Sequence, residues 1–95
     1  MEGMTLAEVV SAVEGTFVGL DDPAEITPTG GCIDSRDVET GQLFFALPGE
    51  QADGHRFIDP ALAQGASAAV VSRAWRANEG AGHPGPLIVV AAVDL

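Results

Sequence analysis

Two short stretches of this 95-residue chain carry side chains that could do chemistry. Asp34-Ser35-Arg36 sets a carboxylate, a hydroxyl and a guanidinium in a row. Gly49-Glu50-Gln51-Ala52-Asp53-Gly54-His55 joins two glycines to four polar side chains. The glycines let a ligand come close to the backbone, and the side chains beside them supply both donors and acceptors. That combination suits a flat polar ring such as a nucleobase, read at its edge by backbone N–H and C=O groups. Plainer readings stay open on pattern alone. Asp34 and Arg36 can pair across their own turn, an exposed contact of ~0–1 kcal/mol. Asp53-Gly54 is a common turn dipeptide, and His55 at a helix entrance suits a cap better than a general base, since no nucleophile lies near it in sequence. Cys32 reads as a small buried hydrophobe, and Trp75 beside Arg73 and Arg76 as the centre of a satellite cluster.

Composition removes several kinds of activity. Fourteen acidic residues against four basic ones leave a net charge of −10, and all four basic residues are arginines: Arg36, Arg56, Arg73 and Arg76. Neutralising a nucleic-acid backbone takes clustered positive side chains, so no nucleic-acid partner is expected. A phosphate loop of the G-x-x-x-x-G-K-[S/T] kind is impossible without lysine. A single cysteine and two distant histidines form no metal cage and no internal disulfide. No signal-peptide pattern and no apolar run of membrane-spanning length is present, so the expectation is a cytoplasmic domain with no membrane insertion.

The chain length allows one domain, 1–95, with a single modest core. Thr5-Leu6-Ala7-Glu8 reads as a capping box opening a helix over 5–14, with Leu6, Val9, Val10 and Val13 on one face and Gly15 as its stop. Thr16 to Gly19 reads as a short strand. Residues 20–29 read as a loop with at most a brief strand near Ile26. Gly31 to Ile33 is a strand running out into Asp34-Ser35-Arg36. Leu43-Phe44-Phe45-Ala46-Leu47 is apolar on both alternating faces and so should be covered on both sides. Phe57 and Ile58 should re-enter the core. Asp59 should cap a short helix beginning at Pro60 and ending at Gly65. Strands are expected at 68–71 and 87–90, with a helical turn around Trp75 and a Gly/Pro loop over 79–86. Strands 43–47, 68–71 and 87–90 should lie side by side in an α/β fold, a small mixed, mostly parallel sheet with short flanking helices. Its ligand loops should leave the carboxyl ends of the strands. The ending at Asp94-Leu95 carries no stop signal and reads as a cut through a longer protein.

The order of these blocks is also familiar. Asp34-Ser35-Arg36, then Gly41-Gln42-Leu43-Phe44-Phe45-Ala46-Leu47-Pro48-Gly49, then Asp53-Gly54-His55-x-Phe57, then Ala61 and Gly65-Ala66 before Ala69-Val70-Val71, resembles the N-terminal domain of the Mur ligases. These are ATP-dependent amide ligases that build the peptide of bacterial cell-wall precursors. The resemblance runs from about Thr5 to Val90. Thr5 to Val10, Gly15 to Gly19 and Glu50 look most like the branch that adds D-alanyl-D-alanine. The branch that adds the third stem-peptide residue is the nearest alternative, and a stand-alone, non-catalytic nucleotide-binding module is another.

The resemblance implies a domain that holds the uridine end of a UDP-N-acetylmuramoyl-peptide. ATP and Mg²⁺ would serve the whole enzyme from an ATP-binding domain of the same chain. Carried over by position, Ile33 and Ser35 would flank the uracil, Glu50, Gln51 and Ala52 would line its edge, and Arg36 would face the ribose or diphosphate. Asp34, Gly49, Asp53, Gly54 and His55 would support the loops. No catalytic residue, metal ligand or cofactor site is implied within these 95 residues, which alone should be inactive. Three or four hydrogen bonds to neutral groups at ~0.5–1.5 kcal/mol each, with some stacking, give roughly 3–5 kcal/mol, or about millimolar affinity. The domain would be a weak anchor.

Overall fold

The computed structural model describes residues 3–46 and 54–91, with His55 described by its backbone alone. The first element forms as its capping box dictates. The Thr5 hydroxyl accepts from the Glu8 N–H at 3.2 Å, while the Glu8 carboxylate accepts from the Thr5 N–H at 3.0 Å. Helix α1 runs Leu6–Ala12. Its end differs from expectation. Glu14, and not Gly15, takes the left-handed conformation at φ 55°. The Glu14 N–H donates to Ser11 O and the Gly15 N–H to Val10 O, the paired bonds of a Schellman turn. Glycine at 15 answers a different need, because a Cβ there would lie 3.0 Å from Val89 O and from a methyl of Ile88.

Strand β1 (Thr16–Val18) follows, then the expected loop, which holds a 3₁₀ turn over Pro23–Glu25 and no strand near Ile26. The cause is local: the Asp22 carboxylate caps the Ala24 N–H at 2.9 Å with proline next in line, so the backbone turns before Ile26. The parallel strands are β2 (Gly31–Cys32), β3 (Leu43–Phe45), β4 (Ala68–Ser72) and β5 (Leu87–Val90). The sheet order is β1-β5-β4-β3-β2, with β1 alone antiparallel.

A 3₁₀ turn (Gly54–Phe57) runs directly into helix α2 (Ile58–Ala63). Phe57 is the N-cap and offers no side-chain bond, so Asp59 is not the cap. It sits in the first turn, where Pro60 also falls and where a missing N–H costs no helical bond. The Asp59 carboxylate instead meets His83 Nε2 at 2.8 Å. Gly65 ends α2 as expected, at φ 109°. Helix α3 (Arg73–Ala77) is capped by the Ser72 hydroxyl, which accepts from the Trp75 N–H.

Strict alternation along the central strands builds two cores. Phe44, Ala46, Ala69, Val71, Leu87 and Val89 face Ile58 and Ala61 of α2, with Trp75 of α3 at the margin. Leu43, Ala68, Val70, Ile88 and Val90 face Leu6 and Val9 of α1. A sheet covered on both sides must be apolar on both, which is what the runs 43–46, 68–71 and 87–90 supply. No helix among the described residues is long and apolar enough to cross a membrane.

Candidate functional site

Because β2 and β3 are parallel neighbours, the connections that follow them leave the sheet at the same edge, the carboxyl ends of the strands. The β2 connection carries Asp34-Ser35-Arg36. The β3 connection begins after Ala46 and returns at Gly54 to lead into Phe57 and α2. Gly49, Glu50, Gln51, Ala52 and Asp53 lie outside the described residues, as does the His55 side chain, while Gly54 opens the 3₁₀ turn.

The 34–36 turn is held by its carbonyls, the Asp34 carboxylate and the Arg36 N–H, Nε and Nη2. The Asp34 carboxylate accepts from the Arg36 backbone N–H at 2.9 Å, from its Nε at 3.1 Å and from its Nη2 at 2.9 Å. These bonds, the side-chain ones first, lower the Asp34 pKa from the usual 3.8 to about 2. The pairing across the turn considered from the sequence is therefore present, in its bidentate form. The Asp34 carbonyl accepts from the Cys32 thiol at 3.1 Å and from the Asp37 N–H at 3.0 Å. Cys32 is half-buried against the core, so its reading as a small hydrophobe holds with the thiol bond added.

Gln64, which sequence reasoning passed over, completes the support. From the C-cap of α2 its Nε2 donates to Ser35 O at 3.4 Å and to Arg36 O at 3.1 Å. Nothing in the local sequence marks it. Only the return of α2 alongside the turn brings positions 28 and 29 residues apart into contact.

Two adjoining depressions flank this turn. One, of about 550 Å³, is lined by Asp34, Ser35, Arg36, Phe57 and Pro60; the other, of about 440 Å³, by Ser35, Arg36, Pro60, Ala63 and Gln64. Ser35 is common to both and only 8% exposed. Its carbonyl is taken by Gln64, whereas its hydroxyl makes no hydrogen bond among the described residues. Arg36 is common to both as well, and its side chain is 86% exposed. Ile33 is 59% exposed beyond the end of β2 and lines neither depression. The expectation that Phe57 joins the core is corrected: it is 38% exposed and forms a wall of the larger depression, while Ile58 beside it is buried. The 3₁₀ geometry of 54–57 explains the split, since it precedes the α-helical phase that turns Ile58 and Ala61 inward.

The arrangement offers a fixed turn, one available hydroxyl, one charged fork and apolar walls. Three of the five described residues lining each depression are polar or charged, so a small molecule there would meet hydrogen-bonding groups beside apolar walls. Among the described residues the site holds no nucleophile paired with a base. Among the described residues no group of three or more His, Cys, Asp or Glu side chains could hold a metal ion.

Comparison with known proteins bears on what such a site takes. The family model described as "Mur ligase family, catalytic domain" matches residues 29–94. The UDP-N-acetylmuramoyl-L-alanyl-D-glutamate--2,6-diaminopimelate ligase of Bacteroides thetaiotaomicron is 48% identical over 65 residues, 68% of this chain and 13% of that protein. The UDP-N-acetylmuramoyl-tripeptide--D-alanyl-D-alanine ligase of Mycobacterium leprae is 41% identical over 76 residues, 77% of this chain and 15% of that protein. Among solved structures, MurF from Acinetobacter baumannii superposes with a TM-score of 0.71 at 28% identity, covering 94% of this chain and 18% of its own. The chain spans about one-eighth of the length of the first curated relatives it matches.

Proposed function

This chain belongs to the Mur ligase family, and on that premise we propose that it holds the uridine end of a UDP-N-acetylmuramoyl-peptide for an ATP-dependent ligase of peptidoglycan precursor synthesis. The observation that carries the proposal is the pinned 34–36 turn at the carboxyl edge of the parallel strands. It presents the Ser35 hydroxyl and the Arg36 fork into depressions walled by α2. Ser35 and the connection over 49–52 would read the uracil, and Arg36 would face the diphosphate. Arg36 can do so because Asp34 occupies its Nε and Nη2 and leaves Nη1 outside that pair.

Such a domain contributes orientation. Binding energy spent on the far end of a substrate holds its reacting end in place, which remote contacts can convert into rate. The chain has no lysine and hence no lysine-dependent phosphate loop for ATP, and no chemical step is assigned to it. ATP and Mg²⁺ would act in an ATP-binding domain of the same enzyme.

For the amine that is added, we favour D-alanyl-D-alanine. Support comes from the longer alignment with the M. leprae ligase and from the likeness to MurF over 94% of the chain, α1 included. The higher identity to the B. thetaiotaomicron ligase favours 2,6-diaminopimelate as the second reading.

Titrating UDP into isotopically labelled chain tests the binding step. Shifts at the Ser35 and Arg36 amides with a dissociation constant of about 1 mM are expected. No shift up to roughly ten times that concentration would overturn the assignment. ATP-dependent phosphate release by the whole ligase, with either amine supplied alone, decides between the two substrates.

A further inference from the structure

We propose that Phe57 is the stacking platform for the ligand's base, a role that rests on the uridine-binding assignment and names the side chain that would read the ring's face. Hydrogen-bonding groups on the 34–36 turn can read only the edge of a flat ring, and a site built of them alone would leave both faces to water. Phe57 supplies what is missing. Its ring is the aromatic member of the larger depression, 38% exposed, with Ser35 and Arg36 sharing the same walls.

Phe57 is held firmly enough to act as a platform. It is the last residue of the 3₁₀ turn and the N-cap of α2, and its neighbour Ile58 is buried in the core. The Arg56 guanidinium carbon lies 5.6 Å from the ring centroid, a cation–π contact on an otherwise half-exposed ring. Because the guanidinium lies on an exposed arm, a base entering the depression can share the ring with it or displace it. Stacking on an aromatic ring is tolerant of base identity, so Phe57 would add affinity, and discrimination between pyrimidines would remain with the edge-reading groups.

The test uses UDP, uridine and inorganic diphosphate as separate probes of the 95-residue chain. With unaltered protein, the uracil H5 and H6 resonances should move upfield on binding, through the ring current of Phe57. Phe57→Ala should weaken UDP and uridine about ten- to hundredfold. Phe57→Tyr and Phe57→Trp should restore most of that affinity, and Phe57→Leu, which fills space without an aromatic face, should not. Inorganic diphosphate should bind all variants alike. UDP binding with unshifted base protons, or Phe57→Leu binding as tightly as the unaltered chain, would overturn the platform and leave the uridine assignment standing. Failure of both UDP and uridine to bind the unaltered chain would remove both. The ring-current measurement needs no substitution, so an unfolded variant does not compromise the result.

Discussion

Asp34 and Arg36 show how far a pair of residues can be interpreted alone. A carboxylate two positions before an arginine suggests a local pair, and the structure has one, with both guanidinium bonds and the backbone bond made by the same residue. The consequence is electrostatic. The folded-state pKa of Asp34, about 2, lies below its usual 3.8, so the pair's contribution to stability is complete above 3.8. It is lost as the pH falls through about 2. Carboxyl-carbon NMR should therefore give Asp34 a midpoint near 2, and Arg36→Gln should return it toward 3.8. A midpoint unchanged by that substitution would show that Arg36 is not the cause. Phe57 makes the opposite lesson. As an aromatic followed by isoleucine it reads as core, yet which of two adjacent apolar residues turns inward depends on helical phase, and the 3₁₀ turn over 54–57 sets that phase.

At the scale of elements, α1 and β3–β5 were legible because their signals are local: a capping box, a strict period of two, a glycine at the end of α2. The misplacements have physical reasons too. Asp59 looks like a cap because it precedes proline, but the 3₁₀ turn extends into the helix and starts α2 two residues earlier. Glu14 replaces Gly15 in the left-handed position because Gly15 is needed where β5 crosses close by. The C-cap of α2 matters most for the site, since Gln64 ties it to the 34–36 turn. Gln64→Ala should weaken UDP binding by about three- to tenfold, the worth of one or two hydrogen bonds at ~0.5–1.5 kcal/mol each, and speed amide exchange over 35–37. Gln64→Glu should do the same, because a carboxylate has no donor for those carbonyls. An unchanged affinity in both variants would remove Gln64 as a positioning residue.

For the whole molecule, charge is the dominant property. A net charge of −10 on a body with a radius of gyration of 11.9 Å places many like charges close to one another. The screening length of about 10 Å at 0.1 M salt is of the same order as that radius, so repulsion acts across the domain in dilute buffer. Raising sodium chloride from about 20 mM to about 0.5 M should increase stability by about 0.5 kcal/mol, roughly 2–4 °C in melting temperature by circular dichroism. A lower melting temperature in salt would show that specific ion pairs outweigh the general repulsion. The same charge is compatible with the proposed ligand, because uracil and ribose are neutral.

Composition, period and turn chemistry decided the class of fold, the three central strands and the absence of a lysine-dependent phosphate loop, because each depends on residues near one another in the chain. The order of blocks from Asp34 to Val71 was enough to point to the family. Only the tertiary structure decided that Gln64 and Phe57 face the 34–36 turn, and that Asp59 serves His83 in place of a helix end. Those pairings join residues some twenty to thirty positions apart, and the docking of α2 against β3 and β4 brings them together.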